Sequence, residues 1–212
     1  MPATLHRPRV AALEMLGDLH PLVAQLGAVQ GLVTLQGATE SLQVRQINDR
    51  SALRDFLRQY CDRILYPLEL PAIRQAYDHA GRNEVRELIA RDRELSATPL
   101  LQNFAAASRR VGASQLQQLR PLRDQRVVQR YLAAIEKGEA HGWHTLIYGL
   151  TLSIYSLPLR QGLYGYAHQS IEGFLQAAAR GLKLSGAETQ DLFEEHTGGL
   201  PATVEQLLLP VG

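Results

Sequence analysis

The chemistry open to this 212-residue chain rests on seven histidines, one cysteine, eight tyrosines and an excess of arginine over lysine. His141 and His144 stand three residues apart, with Glu136 and Glu139 just upstream. On a helix such residues share a face, and two imidazoles so placed could ligate a metal. A carboxylate-rich site in a helical bundle, however, takes a Glu-x-x-His motif from each of two helices. Here Glu139 lies two residues from His141 and five from His144, and Gly142 intervenes. That spacing favours a turn entering a helix, and no metal or cofactor is expected.

Cys61 is flanked by Asp62 and Arg63 and has no positioned base nearby in sequence. A catalytic thiol needs a histidine or an electropositive pocket, so Cys61 reads as a small buried hydrophobe. Tyr164 and His168 are four residues apart and would touch on one helix face. Such a pair serves acid–base work in a pocket or a hydrogen-bonded cluster in a core. With Cys61 and Glu172 it defines an enzymatic alternative, a TenA-like or haem-oxygenase-like bundle with a central pocket. Arg109, Arg110, Arg120, Arg123, Arg126 and Arg130 cluster with only Asp124 between them. They make either a solvated face or a surface for an acidic partner. Neither GxGxxG nor GxxxxGK[ST] occurs, so no phosphate-cradling loop is recognisable.

The elements that must carry these groups read as consecutive helices. Leu22, Leu26, Val29 and Val33 recur at helical spacing, with Gly27 and Gly31 four apart among them. Small residues at that interval let a second helix approach, within the chain or between copies. Asp49 or Ser51 caps a helix carrying Leu53, Phe56, Leu57, Tyr60, Ile64 and Leu65, which Pro67 is expected to end. Pro71 suits the first turn of the next helix, and Gly81 stops it. A helix follows Asn83, and a long one runs from about Thr98 to Leu119. Another reaches Gly138, and Ala140 to Tyr155 is apolar nearly all round, the mark of a buried central helix. After Pro158 a long amphipathic helix extends to about Leu184, followed by two short ones. The expectation is an all-α, single-domain orthogonal bundle of about ten helices over residues 1–212.

Composition agrees. Apolar residues make up 45% and charged residues 20%, enough for a packed core. Leucine is abundant and β-branched residues are sparse, which favours helices. A net charge of +1 argues against a dedicated nucleic-acid binder. A single cysteine excludes an internal disulfide. The longest weakly polar stretch, Leu146 to Leu159, is too short to span a bilayer. A cytoplasmic protein without membrane contact is expected.

Gly149, Leu157-Pro158, Tyr166 and Arg180 occur in an order and spacing that fit one known pattern without insertion from Trp143 to Leu192. Weaker matches lie upstream in Leu68-Glu-Leu-Pro71, Arg93-Glu-Leu95 and Gly31-Leu32. In these features the chain resembles the urease accessory protein UreF family. The family's Leu-Gly-Gln turn is Leu184-Ser185-Gly186 here, with Gln190 retained, and its histidine ahead of the buried helix falls beside His144. The resemblance implies an all-α homodimer that acts as a scaffold and not as a catalyst. It implies bridging between a nickel-delivering GTPase and a UreD/UreH-like protein, with apo-urease engaged indirectly. It further implies partner-binding roles for Tyr166, Arg180, Gln190 and His144, while Gly27 and Gly31 would serve a dimer or helix contact.

Overall fold

A computed structural model describes residues 42–209, which are helical apart from turns and short loops, with no strand among the described residues. Gly27 and Gly31 lie outside the described residues. The first helix, α1 (Arg50–Tyr60), is capped by Asp49, whose carboxylate accepts the Ala52 N–H at 2.7 Å. It buries the stripe Leu53, Phe56, Leu57 and Tyr60.

The expected break at Pro67 does not occur. The chain continues through a π-helical segment, Cys61–Glu69, directly into α2 (Leu70–Gly81). Within an α-helix proline lacks an N–H and its ring crowds the carbonyl four residues back. The wider turn relieves that crowding, and the Leu70 N–H reaches back five residues to the Leu65 carbonyl. Two expected helices are thus one continuous rod, which alters the expected count of about ten.

The chain then runs through α3 (Val85–Ala97), a 3₁₀ turn at Pro99–Leu101, α4 (Gln102–Leu119) and α5 (Arg126–Glu136). It continues with α6 (His144–Ile154), α7 (Leu159–Leu182), α8 (Gly186–Thr197) and α9 (Leu200–Leu208). Ser185 and Glu188 form a reciprocal capping box at the start of α8, so the departure at Leu184-Ser185-Gly186 makes a well-satisfied helix start.

Every residue of α6 from His144 through Leu152 is buried. The helix packs most extensively on α2, and also on α4 and α7. The α2–α6 crossing is closest at Gly149, where an added Cβ would stand 2.3 Å from the Ile73 carbonyl oxygen. Glycine is required there because backbone meets backbone. Across the molecule, α1 meets α7 through Phe174, whose ring lies 5.2 Å from Phe56 and 4.8 Å from Tyr60, both edge-on. No helix among the described residues is long and apolar enough to cross a membrane.

Candidate functional site

The entrance to α6 is held by a buried carboxylate. Asp92 of α3 is fully buried and accepts from the backbone N–H groups of His141 at 2.6 Å, Gly142 at 2.9 Å and Trp143 at 3.3 Å. The Tyr131 hydroxyl of α5 donates to it at 2.6 Å. Three successive amides can converge on one carboxylate because Gly142 adopts φ +76°, a conformation that costs glycine little. The Trp143 indole adds a bond to Ser96 Oγ at 2.7 Å, one turn along α3. Burial, and then the Asp92 charge, push the Tyr131 phenol well above its ordinary pKa, so it remains a donor.

This clamp determines where His144 begins the helix. His144 and His141 do not share a helix face: His141 is an exposed loop residue and His144 a buried first-turn residue. The spacing is therefore a helix-entry turn, and no group of three or more metal-binding side chains forms among the described residues.

His144 belongs to a second buried network. Its Nδ1 lies 2.8 Å from Ser108 Oγ of α4, and its Nε2 lies 2.6 Å from the Tyr166 hydroxyl of α7. Ser108 Oγ also accepts the His144 backbone N–H at 3.1 Å. Tyr166 bonds onward to Glu69 at the end of the π segment, and the Tyr60 hydroxyl donates to Glu69 Oε2 at 2.6 Å. Every group is satisfied when Ser108 donates to Nδ1, Nε2–H donates to Tyr166, and both phenols donate to Glu69. Burial, reinforced by Glu69, drives both phenols well above the ordinary tyrosine pKa. The network joins α1, the π segment, α4, α6 and α7 in one fixed arrangement.

The cavity beside it is about 10 Å³, lined by Glu69, Leu95, Leu101, Phe104, Trp143, His144 and Thr145. It has room for about one water molecule. Tyr164, His168, Cys61 and Glu172 do not line it. Tyr164 and His168 do meet as their spacing predicts, with ring centroids 6.2 Å apart, but His168 faces Phe193 of α8 at 5.4 Å. Cys61 is buried, and burial pushes its thiol pKa up to about 12, which keeps it protonated and unreactive. The four groups of the enzymatic alternative therefore do not converge on this enclosed space.

Two expected partner-binding residues, Tyr166 and His144, are thus bonded to each other at 1% and 3% exposure. Direct contact with a partner requires exposed atoms, and in this structure the pair acts by fixing α6 against α7. Gln190 is exposed on α8 and donates to Glu194 at 2.7 Å. Arg180 falls within α7, with its side chain outside the described residues. Sequence reasoning assigned no polar role to Asp92, Tyr131 or Glu69, although Glu69 lies in the family match Leu68-Glu-Leu-Pro71. Asp92 and Glu69 occur in helices whose other charged residues face solvent, and only the tertiary packing distinguishes them. A polar residue on the apolar stripe Val85, Leu88 and Leu95 is the signal for Asp92.

Comparison with known proteins follows the same helices. A family model described as UreF matches residues 47–196. A urease accessory protein UreF of Actinobacillus pleuropneumoniae is 20% identical over 196 residues, spanning 92% of this chain and 86% of that protein.

Proposed function

The chain belongs to the UreF family, an accessory and not a catalytic family, and on that premise we propose that it serves urease maturation as a rigid bridging scaffold. In this reading it binds a nickel-delivering GTPase and a second, UreD/UreH-like accessory protein, reaches apo-urease through them, and works as a cytoplasmic homodimer. The observation that carries the reading is the continuity of the family match over residues 47–196, which span α1 through most of α8. Positions of the family pattern also have physical work to do. Gly149 admits α2, Pro158 caps α7, and Tyr166 ties α7 to His144.

A scaffold acts by differential binding. It favours the nucleotide state of the GTPase that fits its surface, so that hydrolysis and metal transfer are confined to the assembled complex. Shape must be held constant for that, and the buried networks around α6 supply the rigidity. Arg180 and Gln190 are the proposed direct contacts. Tyr166 and His144 are proposed to support the same surface from within.

Size-exclusion chromatography of the purified chain with the GTPase and the other accessory proteins of the same source tests the reading. Co-elution with at least one of them is expected, and Arg180→Glu should weaken it without lowering the melting temperature. Failure to co-elute under any nucleotide condition would overturn the bridging role. Unchanged assembly of Arg180→Glu would remove that residue from the contact.

A further inference from the structure

We propose that the hairpin formed by α4 and α5, residues 102–137, is a docking surface for a carboxylate-rich protein surface. This stretch carries seven basic side chains against two carboxylates, Asp124 and Glu136, in a chain whose total is only +1. The positive charge is therefore local, and the rest of the molecule is net acidic.

Elsewhere among the described residues most arginines find partners within the fold, the exposed Arg86 being an exception. Arg50 pairs with Asp191 at 3.2 Å, Arg54 with Glu195 at 2.9 Å, and Arg58 with Asp55 at 2.8 Å. On the hairpin, among the described residues, only Arg120 forms an ion pair, with Glu136 at 3.0 Å. Arg123, Arg126 and Arg130 are exposed and make no ion pair among the described residues. Arg126, Arg130 and Lys137 stand on one side of α5 by helical spacing. Arg109 and Arg110 lie about 15 Å back along α4 at ~1.5 Å per residue, which divides the sequence cluster into two groups.

The start of α5 adds to the local positive charge. Its N-cap, Gln125, makes no side-chain capping bond, and the first turn holds no acidic residue. Arg126 instead begins the helix, placing positive charge on the positive end of the helix dipole. Asp49 at α1 and Ser185 with Glu188 at α8 supply capping acceptors instead, whereas α7 likewise begins without a capping bond and carries Arg160 in its first turn.

Carboxylates of a protein suit the site better than nucleic acid or lipid. Arginine dominates over lysine, and its planar fork matches a carboxylate bidentately. The large exposed hydrophobics among the described residues are Tyr155 and Leu209, both outside the hairpin. Its surface thus offers no aromatic platform for bases and no apolar wedge for a bilayer.

The choice of probe rests on the bridging role proposed above. Affinity of the full chain for each urease accessory protein of the same source is measured between 50 and 300 mM salt, over which the screening length falls from about 14 to about 6 Å. The triple variants Arg123→Gln/Arg126→Gln/Arg130→Gln and Arg123→Glu/Arg126→Glu/Arg130→Glu are measured beside it. Immobilised polyglutamate, polyadenylate RNA and phosphatidylserine vesicles form a second set of probes. Binding of one accessory protein should weaken with salt. The neutral variant should bind it roughly tenfold less tightly with a flatter salt slope, the reversed variant less still, and both should keep the parent's melting curve. Equal affinity and slope in all three chains would sink the docking surface while leaving the bridging role intact. If the parent chain binds no accessory protein, the bridging role fails. Polyglutamate then decides: retention of the parent but not the variants supports the surface, and equal behaviour overturns it. Tighter, hairpin-dependent binding of RNA or vesicles than of any acidic protein probe would overturn the choice of a protein partner.

Discussion

Carboxylates play opposite parts at the entrance to α6 and along the seam between α1 and α8. At the entrance a single fully buried carboxylate, Asp92, gathers three backbone amides and a phenol from elements far apart in sequence. Along the seam Glu188, Asp191 and Glu195 meet Arg50 and Arg54 in water-exposed pairs. Both patterns are rich in polar contacts, yet their energetic weights differ. Removing a buried acceptor leaves its donors unsatisfied in a medium that cannot replace it, whereas water replaces an exposed partner at once. The interior carboxylate holds the architecture, and the seam tunes it.

The sharpest way to break that contrast is Asp92→Ala. It should cost about 3–5 kcal/mol, since four donors lose their acceptor together. Thermal unfolding should show a fall of about 10 °C or more. A change as small as that of a surface substitution would abolish the distinction.

Gly149→Ala probes the same interior by volume instead of charge. The added methyl group must push against the Ile73 carbonyl, and about 2–3 kcal/mol of stability should be lost. Denaturant midpoints would check this. Little loss would show that α2 and α6 separate without strain.

His196 brings the comparison to the half-buried edge of the seam. Burial holds its imidazole below the ordinary histidine pKa of 6.5. The folded chain thus takes up this proton later than the unfolded chain as pH falls. The stability contributed by the neutral ring is whole above pH 6.5 and is lost as pH drops through the folded value. Melting temperature should therefore decline from about pH 7 to pH 5 less steeply in His196→Gln than in the parent. Parallel declines would show that His196 contributes nothing to the acid sensitivity.

Arg54→Gln marks the small end. Both members of its pair with Glu195 are more than a third exposed, so the loss should stay within about 0.5 kcal/mol and shrink further in high salt. A salt-insensitive loss of several times that size would place the seam in the same class as the α6 entrance.

Much of the helical order was legible because periodicity and punctuation are local. Asp49 caps α1, Pro71 lies in the first turn of α2, and the stretch after Trp143 is apolar on all sides because it is central. The i, i+4 contact of Tyr164 and His168 followed from helix geometry alone. Pro67 was misleading because its breaking effect assumes an α-helical turn, and a wider turn accommodates the ring.

The sequence by itself determined the all-helical class, most helix limits and the family resemblance, since each depends on residues near one another in the chain. Only the tertiary structure decided that Asp92 and Glu69 point inward, that His144 reaches Tyr166 across 22 positions, and that Arg50 and Arg54 form ion pairs while Arg126 and Arg130 form none among the described residues. Those outcomes depend on which distant helix lies opposite a side chain. Burial and charge pairing are properties of such encounters, and no local pattern encodes them.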